Sequence, residues 1–154
     1  MDMTDLVSPD AVVPELRVTS KKQALQELAH LAAAAAGVAE RTIFEALLER
    51  ERLGTTGIGK GVAIPHVRLA RLPTLRGLFA RLPTPIDFEA VDAQPVDLIF
   101  LLLAPETAGA DHLRALARVS RQLRDAAVCE QLRATTDRGR LFVILTTEAH
   151  SHAA

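Results

Sequence analysis

The sequence predicts an α/β protein in which a mixed β-sheet is flanked by helices on both faces, and three observations carry that reading. The run Val96 to Leu103 is apolar without alternation and lies between Pro95 and Pro105, the pattern of a strand covered on both sides at the centre of a sheet. Apolar side chains recur at three-and-four spacing in segments following Ser20 and Asp111, as in helices with one buried stripe. Connections of helical length separate the strand-like segments, which favours helices layered on a sheet. The 154 residues are expected to form one domain, with a core over about residues 12–146 and a C-terminal tail over about 147–154. The 49% hydrophobic composition supplies that core, since a chain near this length removes roughly 68–70% of its extended surface from water on folding.

Each element has a local reason. Ser20 is an N-cap residue, Leu25, Leu28 and Leu31 or Ala32 form the stripe of the helix it opens, and Gly37 stops that helix. The alanines from Ala32 to Ala36 favour helix at no side-chain entropy cost and suit tight packing. A second helix is expected over Glu40 to Arg52, with Ile43, Phe44, Leu47 and Leu48 on one face, Arg50 and Arg52 in its last turn, and Gly54 ending it. From Gly54 to His66 glycine excludes helix and Pro65 forces Ile64 to an extended backbone, so a loop leads into a short strand with His66 at its end. Leu75 to Leu82 reads as strand and Pro83 to Asp92 as loop. Asp111 can cap a helix from His112 to about Asp125, with Leu113, Leu116, Ala117, Ser120 and Leu123 inward and Arg114, Arg118, Arg121 and Arg124 toward water. Ala126 to Ala134 reads as a short helix, whereas Leu141 to Leu145 is compatible with strand or helix.

Composition removes several function classes. The single cysteine, Cys129, can form neither an internal disulfide nor a cysteine-based metal cluster. Lys and Arg number 18 against 19 Asp and Glu, and aromatics make up 3%, so neither a basic excess nor stacking platforms are present for nucleic acid. The acidic start Met1-Asp2-Met3-Thr4-Asp5 lacks the positive charge of a secretory signal. The apolar run Leu98 to Ala104 is far shorter than the roughly 20 residues a membrane span needs. A cytoplasmic protein is expected.

Two segments could carry chemistry. Gly54-Thr55-Thr56-Gly57-Ile58-Gly59-Lys60 meets the first seven positions of a phosphate-binding loop, but Gly61 stands where the magnesium-binding hydroxyl is needed. That stretch also follows charged residues instead of a buried strand, and it runs into Pro65 instead of opening a helix, so nucleotide binding is disfavoured. The second candidate is His66, approached by glycines and held by an Ile-Pro step. An imidazole is substantially neutral at neutral pH and can attack phosphorus to give a phosphoramidate. Arg50 offers a planar fork for phosphate oxygens and His112 a second donor. The competing reading is a surface-loop histidine. His30 lies in a helix, and His150 and His152 lie in the tail with too few ligands between them for a metal.

The stretch Arg50-Glu51-Arg52-Leu53-Gly54-Thr55-Thr56-Gly57-Ile58-Gly59-Lys60-Gly61-Val62-Ala63-Ile64-Pro65-His66 closely resembles the active-site signature of type-2 enzyme IIA domains of the bacterial phosphoenolpyruvate-dependent phosphotransferase system, the mannitol/fructose and nitrogen-regulatory class. The similarity continues through Pro85-Ile86-Asp87-Phe88, Asp92 to Phe100 and Asp111 to Leu116, and covers roughly Val12 to Thr136. The resemblance implies that His66 is the phosphorylated histidine, Arg50 the phosphate-binding arginine and His112 a second active-site histidine. It also implies a phosphohistidine carrier protein of the HPr or NPr type as donor, and no cofactor or metal. Leu141 to Leu145 would be helical by that family's fold. Two positions depart from the pattern: Lys60 replaces a common Asn, either as an added cation near the site or as a solvent-facing loop lysine, and Val67 replaces a frequent Gly. The wording of Thr55 to Gly59 and of Asp92 to Leu98 looks more like the nitrogen-regulatory branch, which implies regulatory protein targets such as potassium-transport or sensor-kinase proteins. The alternatives are a sugar-specific IIA passing phosphate to a IIB domain, or a IIA-like binding regulator without catalysis.

Overall fold

The computed structural model of the protein describes residues 1–148, so His150 and His152 lie outside the described residues. Within them are strands β1 (Val12–Val13), β2 (Gly57–Gly59), β3 (Val62–Ala63), β4 (His66–Leu69), β5 (Arg76–Ile86) and β6 (Val96–Pro105), and helices α1 (Lys21–Ala36), α2 (Glu40–Arg52), α3 (Ala110–Arg124), α4 (Ala126–Arg133) and α5 (Arg138–Thr146). The six strands form one mixed sheet ordered β1-β5-β6-β3-β2, with β4 also paired to β6 beyond the end of β3. β6 is the spine. It runs antiparallel to β5 on one side and parallel to β3 and β4 on the other.

Strand alternation divides the interior into two cores. Ile99, Leu101 and Leu103 of β6 face α1 and α2 together with Val67, Leu69, Leu78 and Ala80, whereas Leu98, Phe100 and Leu102 face α3, α4 and α5 with Phe79. The helices therefore cover both faces, as expected from the unbroken apolar run in β6. Met3, Leu6 and Val7, ahead of the expected start of the core at Val12, are also buried on the α3 face. At the other end Thr147, placed by the sequence in the tail, is tied down: its N–H donates to the Val143 carbonyl, and its own carbonyl accepts from Gln122.

The Ser20 cap and Gly37 stop of α1 are as expected, with the Ser20 hydroxyl accepting from the Gln23 N–H and Gly37 in the left-handed region. Three expectations need correcting. β5 continues through Pro83 and Pro85 to Ile86, where a loop was expected. Proline cannot donate to a ladder, so pairing with β6 lapses after Arg81 and resumes at Ile86 opposite Val96, while the backbone stays extended. α3 begins at Ala110 with Gly109 at its cap, so Asp111 lies in the first turn and its carboxylate pairs with Arg114. The phase of α3 also differs. Its buried stripe is His112, Ala115, Arg118, Val119, Gln122 and Leu123, while Leu113 is 64% exposed. Polar side chains occupy inward positions because they have work there: Gln122 donates to the carbonyls of Ile144 and Thr147 and so fastens α5. The segment left open between strand and helix, Leu141 to Leu145, is helical, started by Asp137, whose carboxylate accepts from the Arg140 N–H.

Gly77 marks the tightest passage between layers. A Cβ there would lie 2.5 Å from Phe100 Cζ and 2.8 Å from the Leu6 carbonyl oxygen, one of them a fully buried ring and the other backbone. Gly77→Ala is therefore expected to destabilise the fold by about 1–3 kcal/mol, as overpacked cores do. Urea unfolding should show a lower midpoint at an unchanged slope, and an unaltered midpoint would mean that Phe100 yields freely.

Candidate active site

The site is assembled by β4 and by the ends of two helices. His66 opens β4 instead of closing a strand. Pro65 accepts a hydrogen bond at its carbonyl from the Leu102 N–H, and His66 pairs with Leu102 in parallel register. Because Val67 and Leu69 point into the α1/α2 core, strand alternation turns His66 and Arg68 to the opposite face, where α3 lies. There the rings of His66 and His112 meet edge to face, with centroids 5.7 Å apart. Arg50, in the last turn of α2, donates from Nη1 to the Gly54 carbonyl at 3.0 Å, and its charge acts on His66. The structure thus brings together all three residues singled out in the sequence.

Hydrogen bonds fix the chemical state of His66. Its Nδ1 lies 2.8 Å from the Ile64 carbonyl oxygen, and since a carbonyl only accepts, Nδ1 carries the proton and Nε2 holds a lone pair. Burial holds the His66 pKa below the ordinary imidazole value; the Ile64 bond opposes this, the Arg50 charge adds to it and Glu51 opposes it. His112 is 6% exposed and is also held below the ordinary value, chiefly by burial, then by His66 and Arg68. Its Nδ1 accepts from Arg68 Nε at 3.1 Å, and its Nε2 is buried without a hydrogen-bond partner among the described residues. An unsatisfied buried polar group costs about 1–3 kcal/mol, so this atom calls for a functional explanation.

The glycine-rich signature works as scaffolding. Glu51 accepts from the Thr56 N–H at 3.0 Å and from the Thr56 hydroxyl, and pairs with Lys21 at 2.9 Å, which pins the loop to the end of α2. The Thr55 hydroxyl donates to the Phe88 carbonyl. Gly57 is required by close approach, because a Cβ there would lie 2.8 Å from Ala90 Cβ. Gly59, Lys60 and Gly61 form the β2–β3 turn, all at positive φ. The Lys60 N–H donates to Asp92, its carbonyl accepts from Arg133, and Arg133 grips Asp97 with both arms of its fork. Val62 pairs with Leu98 and His66 with Leu102, a separation of four residues or about 13 Å along β6, so the Lys60 turn stands away from the histidines. Lys60 is a solvent-facing turn residue, not a cation of the site. No strand precedes this loop and no helix follows it, which removes the nucleotide-loop geometry. Among the described residues no three His, Cys, Asp or Glu side chains group as a metal site.

Sequence reasoning missed Glu51 and Arg68. Glu51 sits in a run of charges that reads as a solvated helix end. Arg68 was visible in principle, since two residues on a strand separate side chains that share a face.

The titrations of the histidines follow from these surroundings. His66 and His112 should show midpoints below about 6.5, and His30, whose Nδ1 contacts the Glu40 carboxylate at 2.8 Å, a midpoint above it. Where a folded pKa is depressed, the unfolded chain takes up the proton first, so His66 and His112 contribute a loss of stability as pH falls below about 6.5. His30 contributes with the opposite sign. NMR titration of the ring protons checks the order, and a His66 midpoint above that of His30 would contradict it.

Residues 5–148 match the family model described as phosphoenolpyruvate-dependent sugar phosphotransferase system, EIIA 2. A nitrogen regulatory protein of Bradyrhizobium diazoefficiens is 60% identical over 145 residues, covering 94% of this chain and 95% of that one. A fructose-specific EIIA component of Haloferax volcanii is 38% identical over 136 residues, covering 86% and 88%. Among solved structures, nitrogen regulatory protein IIA-Ntr of Neisseria meningitidis superposes with a TM-score of 0.89 at 35% identity, over 94% of this chain and 99% of that one. The fold, the sequence and their agreement over nearly the whole length make this chain a member of the type-2 enzyme IIA family of the phosphoenolpyruvate-dependent sugar phosphotransferase system.

Proposed function

We propose that this protein is a phosphoryl carrier in which His66 Nε2 accepts a phosphoryl group from a phosphohistidine carrier protein of the HPr or NPr type. The observation that carries the reading is the Ile64 carbonyl bond to Nδ1, which leaves the lone pair on Nε2, beside the unpartnered Nε2 of His112. As the His66 Nε2–P bond forms, the P–N bond to the carrier's imidazole breaks and its electron pair returns to that nitrogen. His66 keeps its Nδ1 proton on Ile64, so no proton needs to move. One histidine nitrogen replaces another, the exchange is nearly isoenergetic, and catalysis reduces to alignment and charge stabilisation. Arg50, with one arm already on Gly54, supplies a charge-assisted donor to the phosphoryl oxygens, and His112 supplies a second. The reading includes a cytoplasmic location and requires no cofactor.

The phosphorylated protein carries about −1.5 to −2 of added charge beside Arg50, which suits a switch read by other proteins. A regulatory role in nitrogen or potassium physiology is favoured by the 60% identity to a nitrogen regulatory protein. The second reading, a sugar-specific IIA that hands phosphate to a IIB domain, draws on the 38% identity to a fructose-specific component.

Intact-mass spectrometry after incubation with phosphoenolpyruvate, the general phosphotransferase enzyme and its histidine carrier should show one acid-labile phosphoryl group, absent in His66→Ala. Single labelling retained in that variant would move the role to another histidine. Arg50→Ala and His112→Ala should remain competent but slower by roughly 10²–10³ in rate, the usual loss for one transition-state donor, and rates within twofold of the parent would exclude both. Rapid passage of the label to a sugar-specific IIB protein, with failed sugar uptake in a deletion strain, would select the transport reading.

A further inference from the structure

We propose that Arg68 is a positioning residue for this transfer, whose guanidinium fixes His112 in the tautomer that carries its proton on Nε2. The kinetic part of the inference rests on His66 as phosphoryl acceptor; the tautomer itself does not. A guanidinium has only donors and stays charged, so the ring nitrogen 3.1 Å from Arg68 Nε must accept with its lone pair. A neutral imidazole has one proton, and with Nδ1 bare that proton is on Nε2. Nε2 is the atom left buried and unpartnered. Without Arg68 neither ring nitrogen of His112 would have a hydrogen bond to hold it, and the two tautomers would compete.

The strand geometry makes the arrangement economical. His66 and Arg68 stand on the same face of β4, and the first turn of α3 sets His112 against both. Two carbonyl- and guanidinium-set tautomers then oppose each other: His66 has a bare Nε2 and His112 a protonated one. An incoming phosphoryl group meets a nucleophile on one ring and a donor on the other. In the reverse tautomer the Nε2 lone pair of His112 would repel phosphoryl oxygens and compete with His66 as nucleophile.

The test is proton–nitrogen long-range correlation spectroscopy of the histidine-labelled protein at a pH where both rings are neutral, together with transfer rates from the phosphorylated histidine carrier. Arg68 is exposed, so its variants should fold. The parent should show His112 protonated at Nε2. Arg68→Met should show mixed or Nδ1-protonated His112 and a transfer rate lower by about 10-fold or more, the scale on which residues orienting a reactive histidine act. Arg68→Lys, which keeps a cationic donor, should recover the tautomer and most of the rate. An Nδ1-protonated His112 in the parent, or an unchanged tautomer in Arg68→Met, overturns the proposal, and the parent spectrum decides even if a variant is unstable. A shifted tautomer with an undiminished rate overturns the role of Arg68 in transfer. If the parent accepts no phosphoryl group yet its His112 tautomer follows Arg68, the tautomer assignment stands and the carrier reading fails.

Discussion

The parallel pairing of His66–Leu69 on Leu102–Pro105 is the constraint from which the rest of the site follows. It anchors a four-residue strand to β6, whose side chains are buried on both faces, so the strand cannot slide without turning Val67 and Leu69 out of their core. The same alternation that buries those two side chains delivers His66 and Arg68 to the α3 layer. The geometry of the candidate site is thus set by hydrophobic packing on the far side of the sheet. The Pro65 carbonyl, taken by the Leu102 N–H, extends that anchoring to the residue before the histidine.

Electrostatically the site separates charge from reactivity. Permanent positive charge resides on guanidiniums, Arg50 at the end of α2 and Arg68 on β4, while both imidazoles are held neutral by burial and by those same cations. A protonated His66 would be no nucleophile, and an uncharged pocket would not favour an anionic group; the division of labour satisfies both needs. On the proposed reading the phosphoryl oxygens meet one cationic donor, Arg50, whose charge does not depend on pH, and one neutral donor, His112.

Much of this was legible in the sequence. The unbroken apolar stretch of β6, the caps of α1 and the candidate trio of Arg50, His66 and His112 are properties of local wording, and local wording survives folding. What was not legible depended on which of two faces a residue takes. The arginines of α3 spell a solvent stripe at helical spacing, yet Arg118 is 6% exposed, because the sequence places apolar residues on both flanks of the helix and tertiary packing chose between them. β5 runs past its first proline because an extended backbone needs no ladder bond at that position. Leu141 to Leu145 satisfied both periodicities, and the capping by Asp137 decided for helix.

The turn at Gly59-Lys60-Gly61 is recognised through its backbone. Its partners, Asp92 and Arg133, grasp only the backbone of Lys60, and the left-handed φ of 57° is the sole demand made on the residue itself. Asparagine tolerates that conformation readily, and an unbranched lysine does so at modest cost, whereas a β-branched residue would be excluded. The turn thus selects residue 60 by backbone conformation, a demand that the lysine present and the asparagine of the family pattern can both meet.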